Sequence, residues 1–271
     1  MPSLDHMTHV TELDDRALLH VSGADATVFL QGLLTQDVEQ VGAHYSLWAG
    51  LLSPQGKALF EMLLYRAPDG GFYLDVAKDK AAALMQRLNL YRLRRSVDIA
   101  PAPAHLKIWA MWGGDHGAHP ADGRLPALGA RWIDDRAHSS NTDLAAYHRH
   151  RRLLGVPDAA EIGQDQTLWL EANATELHGV SFTKGCYVGQ ENTARMHHRD
   201  KVRRRLLPLH VQGTPNSDEV MAHGKNAGEL RGHGEDVRMA WLRLELVNDA
   251  RDITVGDVSA TLIWPTWLEK A

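Results

Sequence analysis

The chain has a single cysteine, Cys186, few aromatic residues (7%) and no apolar run approaching a membrane span. One thiol excludes an intramolecular disulfide framework and fits a reducing compartment. A spanning helix needs about 20 consecutive apolar residues, which no window supplies. The polar, acidic start Met1-Pro2-Ser3-Leu4-Asp5-His6 has no signal-peptide pattern. A cytoplasmic location with no membrane partner is therefore expected. A strong excess of one charge is also missing, since the net charge of −5 argues against a general polyanion binder and leaves only local patches. No segment repeats at solenoid spacing and none is low in complexity. What remains, 44% apolar and 23% charged residues over 271 positions, is ordinary for a globular protein of two or three sub-structures.

Periodicity places the elements. Residues 9–22 read as a strand region ending at Ser22-Gly23, followed by a helix from Ala24 to Leu34 with Val28, Phe29, Leu33 and Leu34 at helical spacing. Tyr45–Leu52 and Ala58–Arg66 read as a hairpin about the turn Ser53-Pro54-Gln55-Gly56, with a further strand at Phe72–Val76. Lys78–Asn89 reads as an amphipathic helix offering Ala82, Leu84, Met85 and Leu88 for burial. Strands are expected at Val97–Ile99 and Lys107–Trp112, a structureless loop over Gly113–Gly129, and a basic helix over Asp143–Leu154. After Arg205, short β-like runs at Leu206–Val211, Gly228–Arg231, Val237–Leu246 and Val258–Trp264 imply a small antiparallel barrel or sheet.

The richest stretch is His178 to Arg205. Cys186 lies between Gly185 and Gly189, with Lys184 two residues upstream. Gln190 to Met196 makes a fair helix start, with Glu191 and Arg195 at i,i+4. A thiol just ahead of a helix N-terminus and near a cation is shifted toward thiolate. A lone cysteine is nonetheless more often a small buried hydrophobe, and local chemistry leaves the two readings open. Arg195, His197, His198, Arg199, Lys201, Arg203, Arg204 and Arg205 form a basic run broken by Asp200. Such a run is a solvated face or a site for a polyanion, namely a folate polyglutamate tail or RNA. The lack of interleaved aromatics disfavours an RNA stacking platform. The adjacent His197 and His198 cannot easily ligate one metal from a helix, so no metal site is expected.

Lys184-Gly185-Cys186-Tyr187-Val188-Gly189-Gln190-Glu191 resembles the signature of the YgfZ-type folate-binding proteins, relatives of the glycine-cleavage T-protein (aminomethyltransferase) that serve iron–sulfur protein maturation. The longer run from Leu170-Glu171-Ala172-Asn173 to His198 is similar to the mitochondrial branch of that family. So is the helix end around Tyr147, His150, Arg151 and Gly155-Val156-Pro157, while the run from Val21-Ser22-Gly23-Ala24-Asp25 onward resembles the family's N-terminal module. The resemblance implies an α+β, T-protein-like ring of ferredoxin-like α+β sub-domains with a C-terminal antiparallel β-barrel. Residues 1–205 would form the folate-binding region, as two interleaved sub-domains with the second at approximately 50–135, and residues 206–271 the barrel.

It also implies tetrahydrofolate as cofactor. Glu171 matches the T-protein glutamate that contacts folate, where a carboxylate accepts bidentately from pterin N–H donors; the alternative is a surface glutamate at a strand end. Trp169 stands where the T-protein motif has arginine. Glu61 lies where T-proteins carry paired aspartates, replaced here by Phe60-Glu61, which weakens the case for aminomethyl transfer but not for folate binding. Asn173, Lys184, Tyr187, Gln190, Glu191 and Arg195 complete the expected contacts, and Cys186 is the expected catalytic group. A cluster needs about four ligands, so one cysteine implies at most a transient shared iron–sulfur cluster, completed by assembly or client proteins. The expected function is a tetrahydrofolate-binding accessory factor in iron–sulfur cluster assembly or repair. The alternatives are a folate-dependent aminomethyltransferase or demethylase, and a protein related to tRNA modification.

Overall fold

The structure, a computed structural model, describes residues 7–42, 45–198 and 202–269. The chain divides into two compact units. One comprises Met1–Leu52, Phe60–Tyr147 and Leu177–Val188; the other comprises Ser53–Leu59, His148–Glu176 and Gly189–Ala271.

The first unit begins with β1 (His9–Glu12), β2 (Arg16–Ser22) and α1 (Ala26–Gln31). Next come β3 (Leu47–Leu52), β4 (Ala58–Arg66, its first two residues counted with the second unit), β5 (Phe72–Ala77) and α2 (Ala81–Arg92). β6 (Asp98–Pro101), β7 (Lys107–Trp112) and β8 (Ala130–Asp134) complete its strands. They form two antiparallel sheets, one ordered β3-β4-β5-β2-β6 and one ordered β1-β7-β8. β3 is buried on both faces although it ends its sheet, as an unbroken apolar run requires. In the smaller sheet Leu13, Ile108, Ala110 and Trp112 pack with Tyr147, while Trp109, Ala130 and Trp132 line the opposite face.

α3 (Leu144–Leu153), α4 (Ala159–Ile162) and α5 (Gln190–His198) follow. The second unit is completed by β9 (Arg204–Val211), β10 (Glu219–Ala222), β11 (Lys225–Arg231), β12 (Val237–Arg243), α6 (Leu244–Val247), β13 (Ile253–Val255) and β14 (Val258–Leu262). Its strands close into a six-stranded antiparallel barrel ordered β10-β11-β12-β9-β14-β13. Strand alternation sends Leu207, Leu209, Val211, Ala240 and Leu242 inward to a core with Val220, Leu230, Ile253 and Val255. Gly228, at φ 151, lets β11 lie against β12, because a Cβ there would meet the Trp241 carbonyl.

Several expectations change in detail. The helix expected over Lys78–Asn89 opens with a 3₁₀ turn, Lys78–Lys80, and buries only Leu84 and Leu88; Ala82 is exposed and Met85 half-buried. These two leucines, four apart, make one line of contact on the sheet, so the buried stripe is narrow. The segment read as structureless holds a 3₁₀ turn at Pro126–Leu128, and β8 follows it directly. The strand expected to run to Leu246 stops at Arg243, where α6 begins.

Candidate functional site

In the first unit the segment carrying the cysteine is fixed by hydrogen bonds to residues far earlier in the chain. Thr35 Oγ1 donates to the Gly179 carbonyl (2.6 Å), the Ser181 N–H to the Thr35 carbonyl (3.0 Å) and Gln36 Nε2 to the His178 carbonyl (2.8 Å). Lys184 is buried, and its Nζ donates to the carbonyls of Leu34 (2.7 Å) and Gln36 (2.9 Å). Burial pushes the lysine down to about 8, an effect that the Asp37 carboxylate only partly offsets. Nζ also stands 5.4 Å from the centre of the buried Tyr187 ring. Between these two anchors the backbone turns outward, and Cys186 is exposed. A side chain added at Gly185 would have open space around it.

Glu171 belongs to the second unit. It lies on a 3₁₀ turn, Trp169–Ala172, rather than at a strand end, and that turn is held by the Ser53–Leu59 segment. The Trp169 N–H donates to the Gly56 carbonyl (3.1 Å) and the Ala58 N–H to the Thr167 carbonyl (2.9 Å). The Glu171 carboxylate accepts from Trp241 Nε1 (3.1 Å). Burial raises its pKa, against the opposing pull of that indole, the Leu168 N–H, Arg204 and Lys57. Register places Trp241, Leu206 and Glu229 on the outer face of the barrel, with Arg204 and Arg231 two residues along their strands. The two guanidinium carbons lie 4.2 and 5.5 Å from the Trp241 ring centre. Trp241, Arg231 and Lys57 were missed by the sequence reasoning, and Arg204 was singled out there only as part of the basic run. The one available signal was a tryptophan at an outward position of a barrel strand.

The other expected contacts are engaged as follows. Asn173, wholly buried at φ 65, donates through Nδ2 to the Leu206 carbonyl (2.7 Å) and accepts from Arg205 (3.1 Å). Arg205 also forks onto Glu176 at 2.6 and 2.9 Å. Glu61, in the first unit, is 2% exposed and accepts from Arg16 (2.7 Å) and Trp48 (3.0 Å). It joins a buried network in which Arg16 and Arg131 converge on Asp75, while Arg124 and Arg131 both reach the Tyr147 hydroxyl.

On α5, Gln190 is half-buried, Glu191 is exposed, and the exposed Arg195 donates to Asn192 (2.7 Å). In the basic run His197, His198 and Arg203 are exposed, whereas Arg204 covers Trp241 and Arg205 is buried. Arg199, Asp200 and Lys201 lie outside the described residues. The expected residues thus fall into two groups. Glu61, Lys184, Cys186 and Tyr187 lie in the first unit, and Glu171, Asn173, Gln190, Glu191 and Arg195 in the second. Among the described residues no three His, Cys, Asp or Glu side chains gather as metal ligands, and no helix is long and apolar enough to cross a membrane.

Comparison with known proteins bears on these features. Residues 203–270 match the family described as CAF17, C-terminal beta-barrel domain. Across 97% of its length the chain superposes on the glycine cleavage system aminomethyltransferase T of Bartonella henselae. The TM-score is 0.72, with 15% identity and 87% of that chain covered, which shows the fold. The human protein named iron-sulfur cluster assembly factor IBA57, mitochondrial, is 33% identical over 94% of this chain and 85% of its own length. The mouse protein of the same name is 31% identical over 96% of this chain and 85% of its own. These relatives are mitochondrial, which overturns the cytoplasmic location expected from composition and the first residues. The identity and its reach along both chains show that this chain belongs to the family of the iron–sulfur cluster assembly factor IBA57.

Proposed function

We propose that the chain is a tetrahydrofolate-binding accessory factor in iron–sulfur cluster assembly, with Cys186 presented to a partner that carries or receives the cluster. The observation that carries this reading is the exposure of the one thiol on a segment anchored at both sides by buried Lys184 and Tyr187. A sulfur held outward on a fixed support meets another molecule without first paying to order a loop. The cluster is cargo here, and ligands beyond Cys186 come from the partner or from small thiols.

The residues near Glu171 suit the pterin. A carboxylate offers about four acceptor sites, and two donors, Trp241 and the Leu168 amide, act on this one. Lys57 and Arg204 supply positive charge near the same group. Bound folate brings a one-carbon carrier; Glu171 holds it by accepting from pterin N–H groups. Glu61 has both oxygens engaged in the core, which favours an assembly factor over a one-carbon transferase that would use the Glu61 position. The YgfZ-like motif from Lys184 to Glu191 supports the same reading.

The test is complementation of a strain lacking this factor, scored by activity of an iron–sulfur enzyme, alongside calorimetric titration with folinic acid. Cys186→Ser is expected to fail in the first assay with an unchanged melting temperature, and Glu171→Gln to weaken the second. Full rescue by Cys186→Ser would reduce the thiol to an ornament of the surface. No heat and no thermal shift with folinic acid would remove folate from the proposal.

A further inference from the structure

The corner of the first unit where α2 ends and β6 begins is unrelated to the cysteine or to Glu171, and it has an unusual construction. Leu93, the residue after α2, sits at φ 50 and ψ −118. The Arg95 N–H donates to the Arg92 carbonyl (3.0 Å), closing a turn over residues 92–95 with Leu93 as its second residue. Those angles belong to the glycine position of a type II′ turn, and a leucine there is strained. Its side chain recovers nothing from packing, being 84% exposed. Leu90, one turn earlier on the same helix face, is 66% exposed. A strained residue persists where surroundings or function require it, and among the described residues none covers this one, which is 84% exposed, to require it.

Two further observations say what would cover the corner. Arg94 and Arg95 are exposed, and among the described residues neither guanidinium has a hydrogen bond or ion pair. The nearby acids do not neutralise them: Asp25 accepts from the Ser96 N–H (2.8 Å), and Asp98 is a single exposed carboxylate. Arg92 is turned onto the Val97 carbonyl (3.3 Å). Beside this cationic turn, β6 is the end strand of its sheet and pairs with β2 alone, so one row of its backbone groups faces outward up to Pro101.

We propose that this corner is a docking surface for a protein partner presenting an apolar pocket rimmed by carboxylates, with Leu93 filling the pocket and Arg94 and Arg95 meeting the rim. The strand edge and the fixed, single protruding side chain favour a protein over a lipid surface, because both offer directional contacts that a bilayer does not read.

The experiment places the photo-crosslinker p-benzoylphenylalanine at position 93, and at exposed Tyr45 as a control, in the full chain inside cells. The crosslinked protein is identified by mass spectrometry, then purified and titrated against wild type and variants. The expected result is one protein captured from position 93 and not from 45, through a contact peptide rich in Asp and Glu. Its affinity should fall about tenfold or more in Arg94→Glu/Arg95→Glu and in Leu93→Gly, and weaken with added salt. Leu93→Gly also separates docking from folding, since relief of the strained turn should raise the melting temperature while binding drops. The proposal is overturned if position 93 captures nothing, or only further copies of this chain. It is equally overturned if Leu93→Gly binds the captured protein as wild type does. Leu93-dependent sedimentation with phosphatidylglycerol-containing vesicles, absent with phosphatidylcholine alone, would assign the corner to a membrane surface instead.

Discussion

Asp75 is the carboxylate on which the core of the first unit converges, and removing its charge tests how much that core depends on ion pairing. It is fully buried on β5. Oδ1 accepts from Arg16 Nε at 2.6 Å, Oδ2 from Arg131 Nε at 2.8 Å and Nη2 at 2.5 Å, and its backbone carbonyl from Arg16 Nη2 at 2.9 Å. The network is balanced, with Arg16, Arg124 and Arg131 against Glu61, Asp75 and Asp122. Asp75→Asn keeps the shape and leaves one buried positive charge without a counter-charge. Breaking a buried pair in this way costs about 3–5 kcal/mol. At roughly 2–4 °C per kcal/mol for a protein of this size, the melting temperature should fall by about 6–20 °C.

The matched control is Asp236→Asn. Its partner Arg149 bonds it at 2.5 Å, but the two side chains are 48% and 37% exposed, so the loss should stay below about 1 kcal/mol. Urea unfolding followed by tryptophan fluorescence reads both variants, since the first unit holds Trp48, Trp109, Trp112 and Trp132 and the second, which carries Asp236, holds Trp169, Trp241, Trp264 and Trp267. A second comparison uses Asp75→Leu with Arg131→Met, which removes a matched pair and should cost less than Asp75→Asn alone. If Asp75→Asn proves as mild as Asp236→Asn, the network is screened and the argument from burial is wrong.

Two further outcomes follow from shifted pKa values. Lys184 titrates near 8 when folded and near its ordinary 10.5 when unfolded, so the unfolded chain binds more protons between those values and stability rises with pH across that window. A neutral amine still has two N–H groups for the Leu34 and Gln36 carbonyls. Urea titrations at several pH values should show wild type gaining on Lys184→Met as pH rises, and parallel curves would contradict this. Burial raises the Glu171 pKa, so folding works against its charged form. Glu171→Gln should therefore match or exceed wild type in stability at pH 7, lose that advantage as acid protonates the carboxyl, and bind folinic acid less well. A destabilised Glu171→Gln would instead make the carboxylate a structural group.

What was legible in the sequence was local. β4 spans Ala58–Arg66 as its pattern indicated, and α5 starts at Gln190, where acid in the first turn marks a helix. β8, β10 and β13 are at most five residues long, too short to show a period above their turn residues. Leu168-Trp169-Leu170 looks like a strand because it is apolar, yet one 3₁₀ turn buries all it has to bury. The buried charges Asp75 and Arg131 stand between apolar neighbours, in Leu74-Asp75-Val76 and Ala130-Arg131-Trp132, but their pairing is tertiary. The surroundings of Glu171 come from β9, β11 and β12, more than thirty residues later. Exposure of Cys186 was undecidable locally, because the lysine that fixes its segment anchors on carbonyls about 150 residues away.

The glycines that flank the cysteine separate what the fold needs from what function needs. Gly189 has φ 83, a left-handed conformation that a side chain would strain, so its identity follows from the backbone. Gly185 has no such constraint. Its φ lies outside the left-handed region, and an added Cβ would meet no atom within 4 Å. Folding alone would accept alanine or valine there, and would gain from it, since glycine loses more freedom on ordering. The space that glycine leaves empty borders Cys186 and opens to solvent, so whatever uses it comes from outside the chain. Gly185→Val should therefore leave the melting temperature equal or higher while impairing complementation as Cys186→Ser does. A Gly185→Val protein that supports iron–sulfur enzyme activity fully would mean that nothing approaches the sulfur from that side.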